Sequence, residues 1–293
     1  MSSSSEGTVR IAMVGCGKMA EALADGLQTT FSKLELHAYD LNEGRTDLFR
    51  SRFGAVTHGT SGEAVKGADL LLLGCKPQNI EAVGRDLAGS VGESTIVLSI
   101  LAGTPLSVLS SSLGAERIVR SMPNTPAAVK EGITVWMGTP GLSSADRALV
   151  AKVLRAFGEE VMVEDEKYLD MATAISGSGP AYVLLLMESM IDAGVHFGFP
   201  RAVATKLVQQ TVKGTATYAM SSEVGQANAT SLRADITSPG GTTASALYSL
   251  EKGGFRTTVS DGLWAAYRRS LELGGNDSNV GPDRTIRTVR YEK

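Results

Sequence analysis

The sequence predicts an α/β protein in two parts, a mainly parallel, doubly wound sheet covered by helices and then an all-helical half. Three observations carry that prediction. Apolar strand candidates alternate with helical patterns through the first half, a glycine-rich turn follows the first strand, and strand signals fade beyond Asp165. The expected bounds are 8–164 for the first domain, 165–274 for the second and 275–293 for an exposed tail rich in Gly, Asn, Asp and Arg.

Arg10–Val14 reads as a buried strand, Lys18–Leu27 as a helix and Leu34–Asp40 as the next strand, which makes a compact βαβ beginning. The alternation continues with strand Asp69–Gly74, helix Asn79–Leu87, strand Thr95–Ile100, helix Pro105–Leu113 and strand Arg117–Ser121. Ile133–Met137 adds a strand, Ser143–Phe157 has the polar start and apolar spacing of a helix, and Glu160–Val163 closes the sheet. The second half holds helical patterns at Lys167–Ile175, Pro180–Phe197, Arg201–Met220, Thr243–Lys252 and Thr257–Leu273. Around Ala181–Met190 the pattern is apolar on more than one face, so either internal packing or a helical pair from a second subunit must cover it.

At 293 residues and 43% hydrophobic, the chain can bury a sizeable core. Its formal net charge of -3 supplies no basic field for nucleic acid or an anionic membrane, which points to small metabolites as partners. The apolar runs Leu70–Leu73 and Tyr182–Met187 are too short to span a bilayer, and the serine-rich residues Met1–Gly7 lack the apolar core of a signal peptide. A cytoplasmic location is expected. The two cysteines, Cys16 and Cys75, show no metal-ligand spacing, and no metal site is expected. They stand at the ends of the first and fourth strands of the sheet, as inert small core residues or as a redox pair.

Gly15 and Gly17 fill the first two glycine positions of a dinucleotide fingerprint, with Ala20 in the third, so the first domain reads as Rossmann-like. Gly15 permits the tight turn, Gly17 clears the approach of a pyrophosphate, and Ala20 lets the helix sit close to the strand. The backbone of Lys18 and Met19 opens that helix, where free N–H groups and positive potential hold an anion. Asp40 ends the second strand, where a carboxylate can accept from a ribose diol and favour NADH. Arg45 offers the opposite reading, a partner for a ribose phosphate, or else a solvated helix charge. Further strand exits place Lys76 and Pro77, then Ala102, then Asn124 on the ligand-binding edge of such a sheet.

Late in the chain, Ser238-Pro239-Gly240-Gly241-Thr242-Thr243 forms a second glycine turn before a helix. Its backbone amides can converge on a carboxylate, with the hydroxyls of Thr242 and Thr243 beside them, or the turn serves as a helix cap alone. His37, His58 and His196 show no partner in the sequence, which assigns them structural roles.

The stretch Asp170-Met171-Ala172-Thr173-Ala174-Ile175-Ser176-Gly177-Ser178-Gly179-Pro180-Ala181-Tyr182, taken with Met122–Pro126 and Thr237–Thr243, closely resembles pyrroline-5-carboxylate reductase. The resemblance runs in order from about Val9 to Leu273. It implies reduction of 1-pyrroline-5-carboxylate to L-proline, the last step of proline synthesis, with NADP(H) favoured and NAD(H) open. It also implies a helical dimerisation domain that interlocks in a homodimer, commonly within a larger homo-oligomer. By that resemblance Ser238, Gly240, Gly241, Thr242 and Thr243 form the substrate carboxylate cradle, Thr243 is the hydroxyl beside the ring nitrogen, and Ser176 lines the same pocket. Thr60-Ser61-Gly62 and Asp40-Leu41-Asn42 depart from the family's patterns, which leaves cofactor preference to this chain's own residues. Two rival readings are a hydroxyacid dehydrogenase, for which no catalytic lysine site is evident, and a cofactor-sensing regulator, which would not need the second turn.

Overall fold

The computed structural model describes residues 7–221, 225 and 228–282. The serine-rich start up to residue 6 and the tail from residue 283 onward lie outside the described residues. The chain forms two compact units, one from residues up to Ser178 together with those from Ala265 onward, the other Gly179–Trp264.

The first unit is built on one sheet of β1 (Val9–Val14), β2 (Leu34–Tyr39), β3 (Val56–Thr57), β4 (Leu70–Leu73), β5 (Ile96–Ser99), β6 (Ile118–Met122), β7 (Gly132–Gly138) and β8 (Gly158–Met162). Their spatial order is β3-β2-β1-β4-β5-β6-β7-β8, and every pairing is parallel except β6 with β7. The helices are α1 (Lys18–Thr30), α2 (Glu43–Phe53), α3 (Ser61–Val65), α4 (Ile80–Leu87), α5 (Leu106–Leu113), α6 (Ser144–Arg155) and α7 (Lys167–Ala172).

Alternation along the strands builds the two halves of the core. Ile11, Met13, Leu70 and Leu72 join one buried cluster with α1, α2 and α6, while Ala12, Val14, Leu71 and Leu73 join another with α3, α4 and α5. Covering both faces is what a parallel sheet requires, and it explains why the Leu70–Leu73 run is apolar throughout. The polar start expected before α6 is a full capping box, in which Ser143 Oγ accepts from the Asp146 amide and Asp146 Oδ2 from the Ser143 amide. β3, α3 and the helix α10 below were not anticipated, and β7 runs opposite to β6.

The reversal of strand order falls at β1, which lies between β2 and β4. Register pairs Val14 with both Tyr39 and Leu73, so the strand exits at Gly15, Asp40 and Gly74 share one edge. That edge is where open α/β sheets take their ligands.

The second unit holds α8 (Gly179–His196), α9 (Arg201–Met220), α10 (Ala229–Asp235) and α11 (Thr242–Lys252), with α12 (Phe255–Leu273) beginning in it and ending in the first unit. α8 packs on α9 with Gly194 against Ala204, and Asp192 pairs with Arg201 at 2.9 Å. The expected multi-faced apolar surface is present, since Leu184 and Leu185 are more than 60% exposed. Tyr182–Met187 lies within a longer helical stretch than expected, since Lys167–His196, counting α7, a π-helical turn at Thr173–Gly177 and α8, holds an 18-residue window of mean hydropathy 1.2, a candidate span by length and composition alone.

Candidate active site

The first turn is fixed by the sheet beneath it. Gly15 has φ +95 and donates its N–H to the Tyr39 carbonyl at 2.9 Å. A Cβ there would lie 2.5 Å from the Gly74 carbonyl carbon, so close approach and backbone conformation both demand glycine. Gly17 is different. It precedes α1 with no side-chain cap, and a Cβ on it would meet nothing within 4 Å. The first-turn amides of Lys18, Met19 and Ala20 have no acceptor within the helix, and the helix dipole lies behind them. This surface fits a pyrophosphate.

Around that turn the polar groups are tightly committed. Asp40 Oδ2 accepts from the Cys16 amide at 2.7 Å and Oδ1 from the Asn42 amide at 2.8 Å. Arg45 is not the solvated helix charge that one reading of the sequence allowed. Its Nε donates to the Cys16 carbonyl at 2.6 Å and Nη2 to Glu21 Oε2 at 2.9 Å. The Arg45 hydrogen bond holds the Glu21 carboxyl below its ordinary range. Cys16 is fully buried with its thiol pushed up to about 12, first by burial and then by Asp40. Burial pushes Cys75 up to about 11, so neither thiol ionises near neutrality, which suits the inert reading rather than a redox pair.

The other expected contacts reach the same edge. Lys76 is exposed just before a short turn at Pro77–Asn79, and Ala102 is half-buried in the loop after β5. Asn124 is buried, and both ends of its side chain serve the scaffold. Nδ2 donates to the Ser176 carbonyl at 3.1 Å, and Oδ1 accepts from the Ile133 amide at 3.0 Å. The loop after β6 is thereby tied to the π-helical turn, whose Gly177 packs on Met122. The Ser176 hydroxyl donates back to the Ala172 carbonyl at 3.0 Å.

A buried ionic network supports that turn and was not found from the sequence. Arg120, 3% exposed, pairs with Asp170 at 2.9 Å and Glu166 at 2.8 Å. Ser270 Oγ donates to the same Asp170 oxygen at 2.8 Å. A buried arginine inside an apolar strand was the available signal, since such a charge needs a partner. Two of the histidines find partners that the sequence did not show. His37 Nδ1 lies 2.8 Å from His58 Nε2 and 3.3 Å from Arg10, because β3 brings His58 back beside β2.

In the second unit the turn is built locally. Gly241 N–H donates to the Ser238 carbonyl at 3.1 Å, and Gly240 at φ +67 stands in the left-handed region that follows proline in a type II turn. α11 starts at Thr242 after Gly241 with no side-chain cap, so neither threonine hydroxyl is spent on capping. Thr243 is half-buried, and its hydroxyl makes no hydrogen bond among the described residues. The arrangement leaves a helix N-terminus and a nearby hydroxyl available to a carboxylate. Ser238, Gly240, Gly241, Thr242 and Thr243 thus come together in one unit, while the dinucleotide-edge residues and Ser176 belong to the other.

Residues 166–273 match a family model described as pyrroline-5-carboxylate reductase dimerisation, and residues 10–103 match one described as NADP oxidoreductase, coenzyme F420-dependent. The pyrroline-5-carboxylate reductase of Arabidopsis thaliana is 39% identical over 267 residues, covering 90% of this chain and 95% of that protein. The enzyme of Pseudomonas aeruginosa is 38% identical, covering 91% and 97%. Among solved structures, pyrroline carboxylate reductase of Plasmodium falciparum with NADP bound superposes with a TM-score of 0.80 at 32% identity, over 92% of this chain and all of that one. A pyrroline-5-carboxylate reductase of Coxiella burnetii gives 0.82 at 31% identity, over 91% and 99%. With whole-length identity of this order and both glycine turns opening uncapped helices, the chain belongs to the pyrroline-5-carboxylate reductase family.

Proposed function

We infer that the protein reduces 1-pyrroline-5-carboxylate to L-proline with NAD(P)H, as the last step of proline synthesis. The observation that carries this reading is the second turn. A hydride-transfer domain alone is generic, whereas the Gly240–Thr243 turn before an uncapped α11 is suited to a small carboxylate. The first domain is assigned to residues 8–164, the helical substrate and dimerisation domain to 165–274, and the tail to 275–293.

Reduction adds a hydride to the imine carbon and leaves the nitrogen with a proton. When bound, the nicotinamide cofactor supplies that hydride. The chain's own part is to bind and to orient. Gly15, Gly17 and the amides of Lys18 and Met19 take the pyrophosphate, with Asp40, Lys76, Pro77 and Ala102 along the same edge. Asn124 acts through the scaffold, because its side chain is already committed to Ser176 and Ile133. Ser238, Gly240 and Thr242 offer backbone and hydroxyl donors to the substrate carboxylate, while Gly241, whose own N–H closes the turn onto Ser238, leaves no side chain at the start of the helix. Thr243 directs its hydroxyl at the ring nitrogen. A threonine is a weak acid, so its contribution is orientation, and fixing the ring face removes much of the entropic barrier.

We further infer a homodimer, built on into a larger homo-oligomer, in the cytoplasm; the exposed apolar side chains of α8 support the pairing of two copies. Incubation with the cyclic imine and either reduced dinucleotide, followed at the nicotinamide absorbance, tests the activity. Imine-dependent oxidation with proline as product is expected. Dinucleotide binding without imine turnover would leave a sensor, and turnover of hydroxy acids instead would leave a dehydrogenase.

A further inference from the structure

We propose that Asp40 makes this chain select NADH over NADPH. The inference rests on the reading of the first unit as a nicotinamide dinucleotide site, and concerns the ribose end of that site. Register places Asp40 at the exit of β2, directly beside the glycine turn at the exit of β1. Its carboxylate is held in place by two backbone amides, Cys16 at 2.7 Å and Asn42 at 2.8 Å. Each oxygen keeps a further lone pair, so the fixed carboxylate can still accept from both hydroxyls of a ribose diol.

A phosphate on the 2′ oxygen would bring one to two negative charges against that carboxylate. The segment Asp40-Leu41-Asn42-Glu43-Gly44 carries two carboxylates and no cation. Arg45 is the natural candidate for a phosphate partner, but its Nε is bound to the Cys16 carbonyl at 2.6 Å and its Nη2 to Glu21 at 2.9 Å. Its charge is already matched by a carboxylate that is itself only 13% exposed. Swinging Arg45 out to a phosphate would leave Glu21 with Arg52 and Lys18 alone and would free the turn carbonyl.

Calorimetric titration of the intact protein with NADH and with NADPH tests the proposal without reference to turnover. NADH is expected to bind at least about fivefold more tightly, the ratio for one pair of like unit charges about 4 Å apart in bulk water. Asp40→Asn and Asp40→Ser should shrink that ratio to near one, chiefly by improving NADPH. Arg45→Met should leave the ratio unchanged, even if both affinities fall with a looser turn. Equal or tighter NADPH binding by the natural protein overturns the proposal, and that comparison stands even if a variant fails to fold. An unchanged ratio in a folded Asp40 variant, or selective loss of NADPH in Arg45→Met, overturns it equally. NADPH preference with imine turnover intact removes only this proposal, whereas a folded protein that binds neither dinucleotide removes the dinucleotide reading as well.

Discussion

At Gly15 the backbone passes so close to Gly74 that a Cβ would stand 2.5 Å from its carbonyl carbon, while at Gly240 a Cβ would meet nothing within 4 Å. Both turns end at a helix whose N-terminus lacks a side-chain cap, and both have a glycine at positive φ. They differ in what holds them. The first is clamped by the sheet edge, by Asp40 on the Cys16 amide and by Arg45 on the Cys16 carbonyl. The second is held by its own sequence, proline then glycine, closed by the Gly241 to Ser238 hydrogen bond. One electrostatic device can therefore be made by tertiary packing or by local turn chemistry, and the two should fail differently when disturbed.

The largest expected effect is at the packed turn. Gly15→Val must both relieve the contact with Gly74 and force a branched residue to φ +95, which should cost about 3 kcal/mol or more and abolish dinucleotide binding. Urea unfolding and calorimetry measure the two. Next comes chemistry at the second turn, where Thr243→Val keeps the shape and removes the hydroxyl. A roughly tenfold to hundredfold fall in kcat is expected, the worth of about one hydrogen bond to a developing charge, with dinucleotide affinity unchanged. Full kcat in that variant would leave the second turn as a carboxylate grip only. Gly240→Ala should then cost about 1–2 kcal/mol, the strain of a left-handed residue without a clash. If it destabilised the protein as much as Gly15→Val, the distinction between packed and local turns would be lost.

The same distinction governs what could be read from the sequence. The Gly15 fingerprint was legible because strand, turn and helix are adjacent in the chain, and the Pro239-Gly240 turn because turn residues act locally. Long-range partners were not. β3 is two residues long, below any alternation signal, so nothing announced that His58 would return beside His37. Arg45 looked free because Glu21 lies a helix away in sequence. Asp170 stood in a motif whose buried role needs Arg120 and Ser270 from distant elements. Asn124 follows the strand β6, yet its two scaffold bonds depend on Ile133 and Ser176, which only the folded chain brings to it. The helical pattern is broken in the sequence at Gly177-Ser178-Gly179-Pro180, where the fold has the end of the π-helical turn Thr173–Gly177, a bend at Ser178 and the start of α8 at Gly179.

The smallest effect expected is a pH dependence confined to the packed unit. Burial, then the Arg10 guanidinium and His58, hold the His37 imidazole below its ordinary value, against a weaker opposing pull from Glu35. The unfolded chain therefore binds a proton that the folded chain resists as pH falls below about 6.5, so stability declines there and is fully kept above it. Glu21 and Asp146 are shifted down from the carboxylate range, so their contributions are lost only at lower pH and do not overlap this window. Urea midpoints at pH 7.5 and 5.5 should show the natural protein losing stability on acidification, and His37→Gln losing less. His37 sits in β2, whose exit carries Asp40, and its partner His58 enters the same sheet, so dinucleotide affinity should weaken in parallel. A midpoint equally sensitive to pH in the natural protein and in His37→Gln would move the acid response out of this pair and away from the packed turn.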